Sequence, residues 1–214
     1  MIRFDNVSTD IIEGATFHVP AGGFVGVVFK SNEIMGEAAS LLLGLKKAQS
    51  GAVYVAGHDL SSTTEAEYYE IFKQTGVVME NGGLISNLKV WENIILPVRY
   101  HTGISPQELE ARVKELFAGL GMEESELQEM VGKLPGPLAN HVKRLVAVVR
   151  SMLMEPRLMI YNALFEGFAS GKVERLIETT RSFHHAVPKR TSLFLTADAR
   201  TLDGVGLDAV ISIE

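Results

Sequence analysis

A chain of 214 residues with a mass of 23.4 kDa has room for one α/β domain and a small appended subdomain. Its 46% hydrophobic and 21% charged residues are ordinary for a soluble globular chain, and the lack of any cysteine excludes disulfide and thiol chemistry. A net charge of −6 argues against broad nucleic-acid binding, which relies on basic patches facing phosphate. No apolar run approaches the ~18 residues of a membrane helix, and Met1 to Asp5 lack a signal-peptide core, so the expectation is a cytoplasmic protein.

Residues Ile2 to Val7 and Ala15 to Val19 alternate like strands on either side of the turn-rich Ser8-Thr9-Asp10. Gly22-Gly23 turns the chain into Phe24 to Phe29, a near-continuous apolar run typical of a strand buried on both faces. The polar loop Lys30-Ser31-Asn32 leads into a helix predicted over Glu33 to Leu43 and closed by Gly44; together they form the first half of a βα unit. A strand pair follows around Ala52 to Val55, with Gly57-His58-Asp59 as its turn, then a short helix over Thr64 to Gln74 and a strand over Gly76 to Met79. From Val90 to about Met152 the pattern is helical: Ser105-Pro106-Gln107-Glu108 starts one helix, Pro135-Gly136-Pro137 breaks the run, and Leu145 to Val149 is a buried stretch. Leu158 to Tyr161 and Ser192 to Thr196 are predicted as buried parallel strands flanking a helix that begins near Gly171, and Val210 to Ile213 as a last strand. The expected fold class is α/β, a parallel-sheet core with an antiparallel β element and a helical insertion. The core spans 1–86 and 141–214, and the insertion about 87–140.

Several stretches carry a family likeness in chain order, from Ile2 to Glu214. Gln49-Ser50-Gly51-Ala52-Val53-Tyr54-Val55-Ala56-Gly57-His58-Asp59-Leu60, Leu88-Lys89-Val90-Trp91-Glu92-Asn93-Ile94, Arg150 with Glu155-Pro156, and Asp208-Ala209-Val210 resemble the ATP-binding (ATPase) subunits of ABC transporters. Leu96-Pro97-Val98-Arg99-Tyr100-His101-Thr102 is similar to the ATPase subunits of lipid-asymmetry (Mla-type) importers. The resemblance implies a P-loop NTPase fold with a helical subdomain, ATP and Mg²⁺ as cofactors, and a membrane permease or a second ATPase subunit as partner.

Placed in the register of that family, the functional stations carry unexpected residues. The phosphate loop, which needs glycines for its backbone N–H cradle, a lysine, and a hydroxyl for Mg²⁺, falls on Phe29-Lys30-Ser31-Asn32-Glu33-Ile34-Met35-Gly36-Glu37. Met35 stands at the lysine, Gly36 at the Mg²⁺ hydroxyl, and Phe29, Asn32 and Ile34 at the glycines, while Glu33 and Glu37 add negative charge. Two readings remain open: a tight βα turn, or a loop into which Lys30 reaches from a displaced position. The Walker B acids become Asn162 and Ala163; Asn162 could hold a metal-bound water, Ala163 can do no proton chemistry, and Glu166 is a candidate replacement base beyond the strand end. The signature loop falls on Leu138-Ala139-Asn140-His141, or in a competing register on Leu134-Pro135-Gly136-Pro137. Glu80 stands at the Q-loop glutamine, Ala197 at the switch histidine and Ala169 at the D-loop acid. Ser8 to Ile12 offers no aromatic for stacking adenine.

His184-His185 could be read as a metal pair, but adjacent histidines on a helix end point apart, so a solvent-facing helix terminus before Pro188 is expected. No cofactor and no metal are therefore expected. The helical insertion keeps more of the family pattern than the nucleotide loops do, which makes the surface around Glu80, Leu84 and Trp91 a candidate docking site. Trp91 would be either an interface anchor or filler between the two subdomains. The function expected is that of a non-hydrolytic ABC-type subunit, paired with a permease, a second ATPase subunit or a copy of itself at the inner face of the membrane. A free-standing scaffold or regulatory protein of the same fold, and an active ATPase with displaced residues, are the alternatives.

Overall fold

The computed structural model describes residues 1–213, the Ser170 side chain apart; Glu214, where the sequence likeness ends, lies outside the described residues. In chain order the strands are β1 (Ile2–Ser8), β2 (Ala15–Val19), β3 (Phe24–Phe29), β4 (Ser50–Val55), β5 (His58–Asp59), β6 (Thr75–Val78), β7 (Leu158–Asn162), β8 (Thr191–Thr196) and β9 (Ala209–Ile213). The helices are α1 (Asn32–Leu42), α2 (Glu65–Lys73), α3 (Val90–His101), α4 (Pro106–Gly119), α5 (Glu124–Val131), α6 (Asn140–Met152) and α7 (Ser170–His185), with a short 3-10 turn over Ala199–Leu202 that the sequence pattern does not announce.

Two sheets result. One is four-stranded and antiparallel in the order β2-β1-β4-β5; the other is five-stranded and parallel in the order β6-β7-β8-β3-β9. Every residue of β7 and β8 is buried, which is why both read as unbroken apolar runs. β2, with one face covered, alternates cleanly between buried and exposed positions. α1 fills the space between the sheets, where Met35, Ala38 and Leu42 share one core with Phe4 of β1 and Val27 of β3. The opposite face of the parallel sheet belongs to the helices: Tyr161 and Phe194 share a second core with Ile94, Val113, Phe117 and Leu127. The helical layer thus has no core separate from the sheet, because α6 packs on both α3 and β6.

Local signals account for the element ends. Thr64 caps α2 in a reciprocal box with Glu67, and the Ser105 side chain accepts the Glu108 amide ahead of Pro106 at the start of α4. One expected turn is corrected. His58 and Asp59 are a strand paired with Val55 and Tyr54, and the turn is Ala56-Gly57, both at positive φ (53° and 92°). A two-residue hairpin loop matches strand twist when both residues are left-handed, and Gly57 makes that geometry accessible.

Candidate functional site

The β3–α1 junction is tight. Phe29 ends β3, Lys30 is exposed, and Ser31 already caps α1, its hydroxyl accepting the Ile34 N–H at 3.3 Å and its carbonyl accepting the Met35 N–H at 3.0 Å. The turn is short, with only Lys30 and Ser31 between strand and helix. Asn32 and Glu33 are exposed in the first turn, and Ile34 is half-buried. Met35 is 0% exposed, inside the core between the sheets. Gly36 faces open space, and the Glu37 carboxylate is held by Lys46 at 2.5 Å.

At the C-terminal ends of the parallel strands, Ser31, Asn32, Glu166, Gly167, Ala197 and Asp198 line a cleft of about 570 Å³. This is the crevice in which open α/β sheets hold ligands, and it gathers the loops after β3, β7 and β8. Burial pushes the Glu166 carboxyl up; Arg144 opposes the shift, while Glu80 and Asp198 add to it. Asp198 is held low by Arg200, whose Nε and Nη2 donate to its two oxygens at 2.9 and 2.8 Å. Asn162 is 3% exposed, and its Oδ1 has no hydrogen-bond partner among the described residues. Ala163 follows at φ 53°, its N–H donating to the Leu195 carbonyl at 2.9 Å.

The remaining stations lie on the helical side. Ala139 caps α6 without a side-chain bond, Asn140 and His141 open that helix, and the His141 ring meets Phe168 edge-on at 5.2 Å. Leu138 is half-buried, Leu134 of the competing register is exposed, and Ala169 caps α7. Glu80 is exposed, but its carbonyl accepts Arg144 Nη1 at 2.8 Å. Arg144 itself was not singled out by sequence: it stands beside Lys143, just ahead of the apolar run Leu145 to Val149, where a basic pair reads as an ordinary solvated helix start.

One expectation is corrected here. His184 is not solvent-facing: it is 5% exposed, its Nδ1 lies 3.1 Å from Ser192 Oγ, and its ring packs at 4.7 Å on Phe24. Burial, and then the neighbouring His185, lower its pKa. The α7 terminus lies over β3 and β8, so its inward side is core, while His185 stays exposed. Trp91 is half-buried and lines a cleft of about 300 Å³ with Val113 and Lys114 of α4 and Leu127 and Val131 of α5. Trp91 and Leu84 both pack against the core that joins Tyr161 and Phe194 of the sheet to the helices, while Glu80 and Leu84 do not line that cleft. The loop carrying Glu80 and Leu84 does expose another apolar side chain, Ile85, at 44%. None of the helices among the described residues is long and apolar enough to cross a membrane.

Comparison with known proteins bears on this geometry. The chain matches the family described as "ABC transporter" over residues 38–162, from α1 to the end of β7. It is 23% identical over 206 residues to the methionine import ATP-binding protein MetN of Rhizobium meliloti, covering 96% of this chain and 56% of that protein. It is 25% identical over 167 residues to the cell division ATP-binding protein FtsE of Haemophilus influenzae, covering 75% of this chain and 74% of that one. The chain thus spans little more than half the length of MetN. Among solved structures it superposes on an ATP-binding subunit of an ABC transporter with a TM-score of 0.77 at 20% identity, covering 100% of this chain and 85% of that one. It also superposes on cbiO1 from Clostridium perfringens, part of the cbiONQ complex, with a TM-score of 0.74 at 14% identity, covering 100% and 84%. At these identities the structural likeness concerns the fold.

Proposed function

This chain belongs to the ABC transporter family, and from that premise we propose that it is a non-hydrolytic member whose work is architectural. The observation that carries the reading is the β3–α1 junction. A phosphate cradle presents free backbone N–H groups from a glycine-rich loop, but here the Ile34 and Met35 amides are already bonded to Ser31. The side chain at the lysine station is apolar and fully enclosed, Gly36 offers no hydroxyl, and Glu166 and Asp198 line the cleft where a polyphosphate would lie. These groups do not fit Mg²⁺·ATP, and no hydrolytic step is assigned to them.

Magnitudes support the same reading. Loss of a general base costs typically ~10²–10⁴ in rate, and loss of a preorganised donor on the order of 10²–10³. The effects are not additive, yet either one takes a typical turnover of about 10 s⁻¹ towards background. The chain would retain the docking role of the family, held on the inner face of the membrane by a permease or paired with a second ATP-binding subunit. Loop residues Glu80, Leu84 and Ile85 are the candidate contacts.

Affinity capture from the cells that make the protein, paired with a phosphate-release assay on the purified chain, tests this reading. A permease or competent ATP-binding subunit recovered with a chain that releases no phosphate is the expected result. Turnover in the ordinary enzyme range that copurifies with the chain would overturn it.

A further inference from the structure

Two loops at the mouth of the cleft hang from one side chain. Arg144, near the start of α6, is 4% exposed. Its Nη1 donates to the Glu80 carbonyl at 2.8 Å, its Nη2 donates to the Glu166 carbonyl, and its guanidinium lies 5.8 Å from the Phe168 ring centre. Further along the same helix, Arg150 donates to the Gly83 carbonyl at 3.0 Å and to the Gly82 carbonyl at 3.4 Å. Gly82, at φ +81°, is pressed so closely on α6 that a Cβ there would stand 2.8 Å from the carbonyl carbon and oxygen of Lys143. Residues 80–83 are thus fastened to α6 through backbone oxygens, and the same guanidinium fastens the loop after β7.

A buried guanidinium that leaves one carbonyl exposes both itself and its partner to an unmet hydrogen bond, so its two contacts favour forming and breaking together. We propose that Arg144 is an internal strap that makes residues 80–83 and 163–167 one mechanical unit, so that a push on the first loop is felt at Glu166 in the cleft. A ligand or partner that moved the loop around Glu80 would in this way reshape a cleft it does not touch. The strap rests on these contacts alone, independently of whether the chain hydrolyses ATP.

Hydrogen exchange of the full chain without nucleotide tests the strap, read separately at residues 80–86, residues 164–168 and the strands β3 and β8. Gly82→Ala forces the first loop off Lys143 while leaving Arg144 and the second loop unaltered in sequence. With the strap intact it raises exchange about tenfold or more at 164–168 as well as at 80–86, with β3 and β8 unchanged. Arg144→Met raises both loops, and Gly82→Ala then adds nothing at 164–168, a non-additivity that marks a shared element. Arg144→Lys, which keeps the charge but not the fork, takes the place of Arg144→Met should that variant not fold. Exchange at 164–168 that is indifferent to Gly82→Ala, or effects of the two substitutions that sum in full, would overturn the proposal.

Discussion

The Ser31 hydroxyl accepts the Ile34 backbone N–H at 3.3 Å, so an amide at the centre of the junction is committed within the chain. Ordinary helix capping thereby competes with phosphate for the same donor. Purified protein is expected to gain no thermal stability from millimolar Mg²⁺·ATP beyond a salt control. Saturation at about 100 times Kd would add ~2.7 kcal/mol, a rise of roughly 5–10 °C for a domain of this size. A saturable, Mg²⁺-dependent rise of that size would show that Lys30 or Asn162 has been recruited.

On the proposed reading, a lysine placed at residue 35 is expected to harm the fold without producing phosphate release. Met35 is fully enclosed between the two sheets, so Met35→Lys places an ammonium among apolar groups that cannot solvate it. The cost is about 3 kcal/mol or more, a fall of roughly 6–12 °C in Tm, whereas the volume-conserving Met35→Leu costs less than about 1.5 kcal/mol. Thermal melts of the two variants with parallel phosphate-release assays provide the check. A Met35→Lys protein as stable as the parent and newly able to release phosphate would mean that residue 35 faces the cleft.

The fold was legible where burial leaves a periodic trace. β3, β7 and β8 lie inside a parallel sheet, so their apolar runs are long, and Ser105 and Thr64 mark helix starts through their own side-chain bonds. The strand at His58 and Asp59 was not legible, because two residues carry no period and the hairpin depends on left-handed backbone at Ala56 and Gly57. The loops of the cleft were legible as strand ends. The role of Arg144 was not, since it bonds backbone oxygens 64 and 22 residues away, and an oxygen of the main chain has no sequence signature. The burial of His184 has the same origin: it is set by Phe24 and Ser192 on strands that its own helix sequence does not reveal.

That burial predicts a pH dependence. The His184 pKa is lowered in the folded chain by desolvation, with His185 and Arg190 acting in the same direction and Asp208 and the Gly22 backbone opposing it. Below the ordinary histidine value of 6.5, the unfolded chain takes up a proton that the folded chain refuses. The stability due to neutral His184 is thus complete above that value and is lost as pH falls from it towards the depressed folded pKa. Melting at pH 7.5 and 5.5 is expected to differ less for His184→Gln than for the parent. An identical pH response in both would remove His184 from the account.

Trp91 provides the last test, because its placement separates stability from docking. Its indole lies against Val113, Leu127 and Val131 in the cleft between α3, α4 and α5, while Leu84 is half-buried and Ile85 is exposed on the loop after β6. Removing a half-buried aromatic forfeits apolar contact worth about 1–2 kcal/mol. Trp91→Ala is therefore expected to melt roughly 2–8 °C lower and still to recover whatever protein the parent captures. Ile85→Asp removes an exposed apolar contact and sets a charge in its place, so it is expected to leave melting within about 2 °C while partner recovery falls. Paired melts and captures of both variants decide the matter. Lost recovery with unchanged melting for Trp91→Ala would move the docking surface onto the α3–α5 cleft, and full recovery for Ile85→Asp would take it away from the loop that carries Glu80.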